Sequence, residues 1–337
     1  MAKAEIHCIE IYLPENILTN EELASEYAGW TASQIEQKTG IRSRHIAGES
    51  ECSSDMATAA ALKLFKSGCI APDAIDYVLL CTQSPDYLLP TTACLVQDRL
   101  GLRTGCGALD YNLGCSGFVY GLGLAKGLIE TEQAENVLLI TAETYSKFIH
   151  RGDKSVRTLF GDAAAATLIR AGQSDKEKIG PFVYGTDGRG AKNLIVPTGG
   201  LRSPHVVEAE ITEDASGNKR TINNLYMNGA EIFTFTLRVV PEAVDKLLVK
   251  SGKTMEDIDL FLFHQANRFM LDHLKRKLRI PDDKLPLSMD YCGNTVSSTI
   301  PILLKDLAYS GKITKGQCLM LLGFGVGYSW AGSIVNW

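Results

Sequence analysis

The chain is most informative first in what it lacks. Its 337 residues contain no apolar run approaching the roughly 18 residues that a membrane-spanning helix needs. The opening stretch MAKAEIHCIEIYLPENILTNEELASEY is broken by charges and by Pro14, so it does not read as a secretory leader. Nine cysteines are an odd number without regular spacing, which argues against a disulfide framework. No CxxC pair occurs, and with it goes the usual signature of a zinc site. Neither charge sign dominates: 34 Lys and Arg face 39 Asp and Glu, a net charge of -5, which gives no reason to expect nucleic acid or a membrane surface as a partner. The expectation is a cytoplasmic protein with reduced thiols.

What is present fits a large folded body. Hydrophobic residues make up 45% of the chain and glycines number 31, as in a globular protein of one large or two medium domains. Two segments half a chain apart are alike: LFKSGCIAPDAIDYVLLCTQ (64–83) and LVKSGKTMEDIDLFLFHQA (248–266). Each reads as a helix end, a Lys-Ser-Gly stop, an acidic turn and then Ile-Asp opening an apolar strand. Gly68 and Gly252 stand where a left-handed helix cap wants glycine. The repeat of a whole helix–cap–strand unit implies internal duplication. Alternating strands and helices imply α/β layering, with ENVLLITAET and GQCLMLLGFG as buried strands. SSDMATAAALKLFKSG predicts a helix capped by Ser53 or Ser54. AEIFTFTLRVVPEAVDKLLVKSG predicts a helix broken at Pro241. The polar stretch 208–224 predicts an exposed hairpin or loop. No linker rich in Pro, Gly or Ser divides the chain, so the halves, 1–172 and 173–337, are expected to pack as one body.

Four segments carry candidate chemistry. In NLGCSGFVYGLG, Cys115 lies between Gly114 and Gly117 just before an apolar helical run. A thiol at a helix N-terminus meets exposed N–H groups and the macrodipole, which favour the thiolate. Its own N–H is a candidate oxyanion donor. The alternative is a buried cysteine in a close-packed, glycine-rich helix. In FLFHQANRFM, His264 ends a strand, where α/β folds gather their sites, although a lone histidine there is often a hydrogen-bonded core residue. In DYCGNTVSSTIPILL, Asn294 occupies a Gly-Asn-Thr turn before a helix, and an Asx turn explains it equally well. LLGFGVGYSWAG ends a buried strand in glycines that let the backbone turn and present N–H groups.

Taken in order, these motifs resemble the β-ketoacyl-acyl-carrier-protein synthase III enzymes of the thiolase superfamily. The resemblance runs almost end to end, through KTGIRSRHIA, GCSGF, LFGDAAAATLI, MNGAEIF, HQAN, GNTVSS and GFGVGYSW. Thiolases proper use a second cysteine in the C-terminal glycine loop, which GFGVG lacks; elongating ketosynthases use two histidines; plant-type polyketide synthases are typically longer. The resemblance implies a thiolase-like α/β fold of two pseudo-duplicated βαβαβαββ halves in an α/β/α/β/α body. It also implies a ping-pong, decarboxylating Claisen condensation. Cys115 takes the acyl group from an acyl-thioester, with acyl-CoA the expected donor. The backbone N–H groups of Cys115 and Val326 hold the oxyanion. His264 and Asn294 donate to the thioester carbonyl of malonyl-acyl-carrier protein. No metal or resident cofactor is implied; CoA and the carrier's phosphopantetheine bring the substrates.

By the same resemblance, Gly229, Phe233, Ala266 and Asn267 line the pantetheine tunnel, Arg276 and Lys277 contact the acidic carrier protein, and Leu89 closes the acyl pocket of a partner subunit in a homodimer. Several positions depart from the family. Gln34 stands for the tryptophan that stacks on adenine, Lys38 and Lys154 for its flanking arginines, Ala230 for a tunnel asparagine and Val326 for a glycine. Trp30, one turn earlier if that segment is helical, is a substitute stacking residue. These changes bear on the acyl donor and open the reading of a pathway-specific homologue. A relative that passes the acyl group to an O, N or S acceptor without forming a C–C bond is the alternative activity. A non-catalytic partner subunit is disfavoured, because such subunits usually lose the nucleophile.

Overall fold

The computed structural model describes residues 2–172 and 176–337. Two twisted sheets form its frame. The first has strands β1 (Lys3–Tyr12), β2 (Tyr77–Cys81), β3 (Gly107–Tyr111), β4 (Asn136–Glu143) and β5 (Ala163–Gly172), in spatial order β1-β5-β4-β2-β3. The second has β6 (Ile179–Thr186), β7 (Leu260–Phe263), β8 (Cys318–Gly325) and β9 (Ser329–Asn336), in order β7-β8-β9-β6. The two repeat one topology. β1 pairs antiparallel with β5, β5 antiparallel with β4, and β4 parallel with β2. In the same way β6 pairs antiparallel with β9, β9 antiparallel with β8, and β8 parallel with β7. Only β3 lacks a counterpart among the described residues. The division at 172/173 meets residues 173–175, which lie outside the described residues.

Six principal helices complete the layers: α1 (Ser53–Lys66), α2 (Thr92–Arg99), α3 (Gly117–Glu130), α4 (Gly229–Ser251), α5 (Arg268–Leu278) and α6 (Thr299–Tyr309). α3 and α6 lie between the sheets. Phe118, Val119, Leu122, Ile300, Leu303 and Leu304 pack there against Leu79 and Leu139 on one side and Leu262 and Leu321 on the other. α1 and α2 cover the outer face of the first sheet. α4 and α5 cover that of the second. The body is thus α/β/α/β/α. Burial on both faces explains why the central strands read as continuous apolar runs rather than alternating ones. Gly68 and Gly252 end α1 and α4 at φ +79° and +64°, the left-handed caps expected of them.

Three local expectations are corrected. α4 runs unbroken through Pro241. Proline in a helix interior costs about 3 kcal/mol, but Val239, Val240, Ala243, Val244 and Leu247 bury around it, and their packing outweighs that cost. Neither Ser53 nor Ser54 caps α1. Cys52 is its N-cap residue, with the Asp55 carboxylate accepting from the Cys52 N–H at 2.7 Å. The serine hydroxyls are used elsewhere: Ser53 donates to Ser84 O, and Ser54 to Asp86 Oδ2. Trp30 is not helical, because the helix Ala32–Thr39 begins after its N-cap Thr31. The polar stretch does form a hairpin, Thr212–Glu213 paired with Lys219–Arg220. No helix of the described residues is long and apolar enough to cross a membrane.

Candidate active site

Cys115 is seated by the turn that carries the chain from β3 into α3. The preceding carbonyl, Gly114 O, accepts from Gly117 N–H at 2.7 Å. The end of β8 lies directly against this turn. A Cβ placed on Gly325 would lie 2.9 Å from Cys115 Sγ, and one on Gly323 would lie 2.5 Å from Cys115 O. Both positions therefore require glycine, which is the physical content of the GFG pattern. Ser116 Oγ and Ser329 Oγ share a 2.6 Å hydrogen bond that ties the two halves beside the thiol.

Only 5% of Cys115 is exposed. Burial pushes its thiol up to about 12, with the nearby Glu143 carboxylate adding to the effect. The backbone N–H groups of Cys115 and Val326, which face the sulfur, pull in the opposite direction. This corrects the expectation of a thiolate favoured by the helix start. α3 begins two residues later, at Gly117, and desolvation is the larger influence.

His264 follows β7, its N–H donating to Leu322 O at 2.9 Å. Its ring meets Phe324 edge-on at 5.6 Å. Burial alone lowers it to about 3, so the imidazole is neutral. Nδ1 lies 2.7 Å from Thr299 Oγ1. Asn294 sits in the turn before α6, fixed by its N–H to Leu159 O at 2.9 Å. Its Oδ1 accepts from Val296 N–H at 3.0 Å, which leaves the Nδ2 hydrogens available to an incoming carbonyl. Val296 adopts φ +56°, a left-handed conformation rare for a β-branched residue. Such strain is typical of functional turns. The Val296 and Val326 side chains both approach Gly114, at 3.2 and 2.7 Å from the Cβ it lacks. The three predicted residues are therefore brought to one place, each from a different element boundary.

Other neighbours were not evident in the sequence. Glu143, at the end of β4, is fully buried. It accepts from Gln83 N–H at 3.0 Å and from Ser297 Oγ at 2.7 Å, clamping the Asn294 turn to the first half. Burial raises its carboxyl to about 8. Tyr145 donates to Gln83 Oε1 at 2.5 Å, and Gln83 in turn donates to Asn112 Oδ1 at 3.0 Å. A carboxylate closing an otherwise apolar strand was the one signal available for Glu143.

A cavity of about 550 Å³ has none of Cys115, His264 and Asn294 in its lining; it reaches toward them through Leu159, whose carbonyl accepts from Asn294 N–H. Gly229 and Asn267 line it as expected, together with Met227, Leu159 and Phe269. Its outer rim holds Trp30, Lys38 and Lys154, with the two ammonium groups 5.2 and 6.0 Å from the Trp30 ring. The 212–220 hairpin contributes Ser216 and Asn218, a role its polarity alone did not suggest. Phe233 and Ala266 do not line the cavity. Ala266 is buried in the core behind His264. Phe233 borders an adjacent groove with Arg238 and Lys277, and packs on Phe269 at 5.4 Å. Arg276 lies beside Lys277 in the last turn of α5. Leu89 is 83% exposed on the loop between β2 and α2, outside its own chain's cavity.

Comparison with known proteins places this geometry in a family. Residues 109–188 match the model described as 3-oxoacyl-[acyl-carrier-protein (ACP)] synthase III, and residues 248–337 match its C-terminal counterpart. The β-ketoacyl-[acyl-carrier-protein] synthase III of Caldanaerobacter subterraneus subsp. tengcongensis is 36% identical over 97% of this chain and 95% of its own. A 2.1 Å crystal structure of a 3-oxoacyl-(acyl-carrier-protein) synthase III superposes with a TM-score of 0.98 at 56% identity, covering 99% of this chain and 100% of that one. The 3-oxoacyl-(acyl-carrier protein) synthase of Burkholderia xenovorans LB400 gives 0.90 at 35% identity, covering 99% and 93%. The chain belongs to the β-ketoacyl-acyl-carrier-protein synthase III family.

Proposed function

We propose that this chain is a priming ketosynthase that loads an acyl group onto Cys115 and condenses it with malonyl-acyl-carrier protein. The carrying observation is the seat of Cys115: a buried thiol facing the backbone N–H groups of Cys115 and Val326, with the glycine end of β8 held against it. In the first half-reaction the Cys115 sulfur attacks the acyl thioester, and the two N–H groups take the developing oxyanion. The proton lost by Cys115 leaves on the departing CoA thiol. In the second, His264 and Asn294 donate to the malonyl thioester carbonyl, so that negative charge moves onto that oxygen as carbon dioxide departs. The carbanion attacks the Cys115 thioester. The expelled thiolate regains a proton, and the β-ketoacyl product remains on the carrier.

The rim of the cavity suits a CoA head group. Trp30 offers a flat face for an adenine, and Lys38 and Lys154 offer charge for phosphates. This supports acyl-CoA as the primer, with Trp30 replacing the stacking residue absent at Gln34. Lys277, which borders the groove beside Phe233, and Arg276 next to it in the last turn of α5 suit an acidic carrier protein. Strand β3 forms an edge of the first sheet and carries half-exposed Leu109. Such an edge calls for a cover, and a second copy of β3 across a two-fold axis would supply it, bringing Leu89 to its partner. We place the enzyme in the cytoplasm.

Intact-protein mass spectrometry tests the reading. Incubation with a panel of acyl-CoAs should add one acyl mass to the wild type and none to Cys115→Ala. Malonyl-carrier protein should then discharge it as a β-keto product with release of carbon dioxide. An acyl mass that malonyl-carrier leaves untouched, but that an O, N or S acceptor removes, would assign the chain to the transferase alternative instead.

A further inference from the structure

We infer that Thr299, the first residue of α6, is a positioning residue that fixes the tautomer of His264 and so decides whether that ring can donate to substrate; the inference rests on the donor role given to His264 above. A neutral imidazole carries one proton, and the partner of one nitrogen determines what the other presents. Here Nδ1 has a single protein partner among the described residues, the Thr299 hydroxyl at 2.7 Å. That hydroxyl has a second potential acceptor, Val296 O, at 3.1 Å. The two distances discriminate. O–H donors work at about 2.5–3.0 Å with a mode near 2.7–2.8 Å, and N–H donors at about 2.7–3.2 Å with a mode near 2.9–3.0 Å. The 2.7 Å contact sits at the mode for an O–H donor and at the short limit for a ring N–H, while 3.1 Å is long for a hydroxyl donating to a carbonyl, so the lengths favour the hydroxyl donating to the ring. Thr299 donates to Nδ1, and the ring proton stays on Nε2.

The opposite assignment would be fatal to the second half-reaction. With the proton on Nδ1, Nε2 would present a lone pair to the thioester oxygen where negative charge must gather. Burial keeps the ring from carrying both protons. The Thr299 hydroxyl is itself buried and held by the turn that carries Asn294, so one rigid segment sets both donors: the Asn294 amide through Val296 N–H, and the His264 ring through Thr299. The clamp of Ser297 Oγ on Glu143 fixes that segment to the opposite half.

The test pairs a spectroscopic readout with the two half-reactions. Nitrogen-15 spectra of histidine-labelled protein, with His264 assigned by His264→Ala, should show a protonated Nε2 and an unprotonated Nδ1 in the wild type. Thr299→Val, which keeps the shape and removes the donor, should lose this pattern. It should also slow carbon dioxide release from malonyl-carrier protein about ten- to hundred-fold, with Cys115 acylation unchanged within two-fold. Thr299→Ser should restore both. A protonated Nδ1 in the wild type overturns the inference, as does a Thr299→Val enzyme that decarboxylates normally or loses both half-reactions together. If His264→Ala decarboxylates as fast as the wild type, the donor role of His264 fails instead, while the nitrogen spectra still decide what Thr299 does to the ring.

Discussion

The protonation state of Cys115 yields the sharpest prediction, because two structural influences on it oppose each other. Burial beneath the end of β8, together with the Glu143 charge, raises the thiol to about 12. The helix start at Gly117 works the other way. A macrodipole contributes at most about 2 kcal/mol in a partly buried site, worth roughly one and a half pH units. The thiol therefore still titrates above about pH 10, and the thiolate fraction at neutral pH is below about one in a thousand. No imidazolium offsets this, since His264 is held at about 3. The perturbation is pH, and the assay is the rate of iodoacetamide alkylation at Cys115, followed by peptide mass so that exposed Cys94 does not interfere. Alkylation and acyl-CoA loading should both rise about tenfold per pH unit from about 6.5 to about 8, and less steeply where Glu143 ionises, without reaching a plateau by about 9.5. Glu143→Gln should match the wild type below about pH 8, where Glu143 is protonated, and exceed it above, where the substitution removes the charge that Glu143 acquires. A plateau below pH 8, the mark of a preformed thiolate, would refute the dominance of burial.

Four further outcomes are expected. Gly325→Ala should load Cys115 roughly a hundred-fold more slowly and lose about 1–3 kcal/mol of stability from overpacking, because the added methyl would stand 2.9 Å from Sγ. Glu143 titrates near 8 when folded against 4.5 when free, so the unfolded chain is the more ionised between those values and stability falls as pH rises through them; between pH 5.5 and 8, urea unfolding should show this group costing the wild type at most about 3 kcal/mol, a loss that Glu143→Gln lacks. Trp30→Ala should raise KM for acyl-CoA about tenfold with little change in kcat, and leave a short pantetheine-thioester primer unaffected. Leu109→Lys, on the free edge of β3, should convert a dimer to a monomer in sedimentation; an unchanged mass would show that this edge is not the interface.

The duplication, the layer order and the three candidate residues of the site were legible in the sequence because their signals are local. A Lys-Ser-Gly stop before Ile-Asp encodes a left-handed cap and a strand start within ten residues, twice. Cys115, His264 and Asn294 each stand where an apolar run meets glycine or a turn; each pattern alone admits a purely structural reading, and it is their ordered combination, through the family resemblance, that singles them out. The residues around them were not legible, for a physical reason. Glu143 looks like the tail of a buried strand, and only folding brings it Gln83 and Ser297, 60 and 154 positions away. Thr299 reads as a helix-start residue until the fold places it against His264, 35 positions away. Pro241 was misread because propensity is local, whereas the packing that holds α4 together comes from β8 and β9. The same division explains Cys115. Its neighbours name it as a nucleophile at a helix start, but its protonation is set by what covers it, and that cover is β8 from the other half of the chain. Sequence pattern therefore nominates the candidate reacting atoms, while long-range burial sets the charge they carry before substrate arrives. The pH at which this enzyme loads its primer is accordingly a property of the contact between the two halves, not of the GCSG motif.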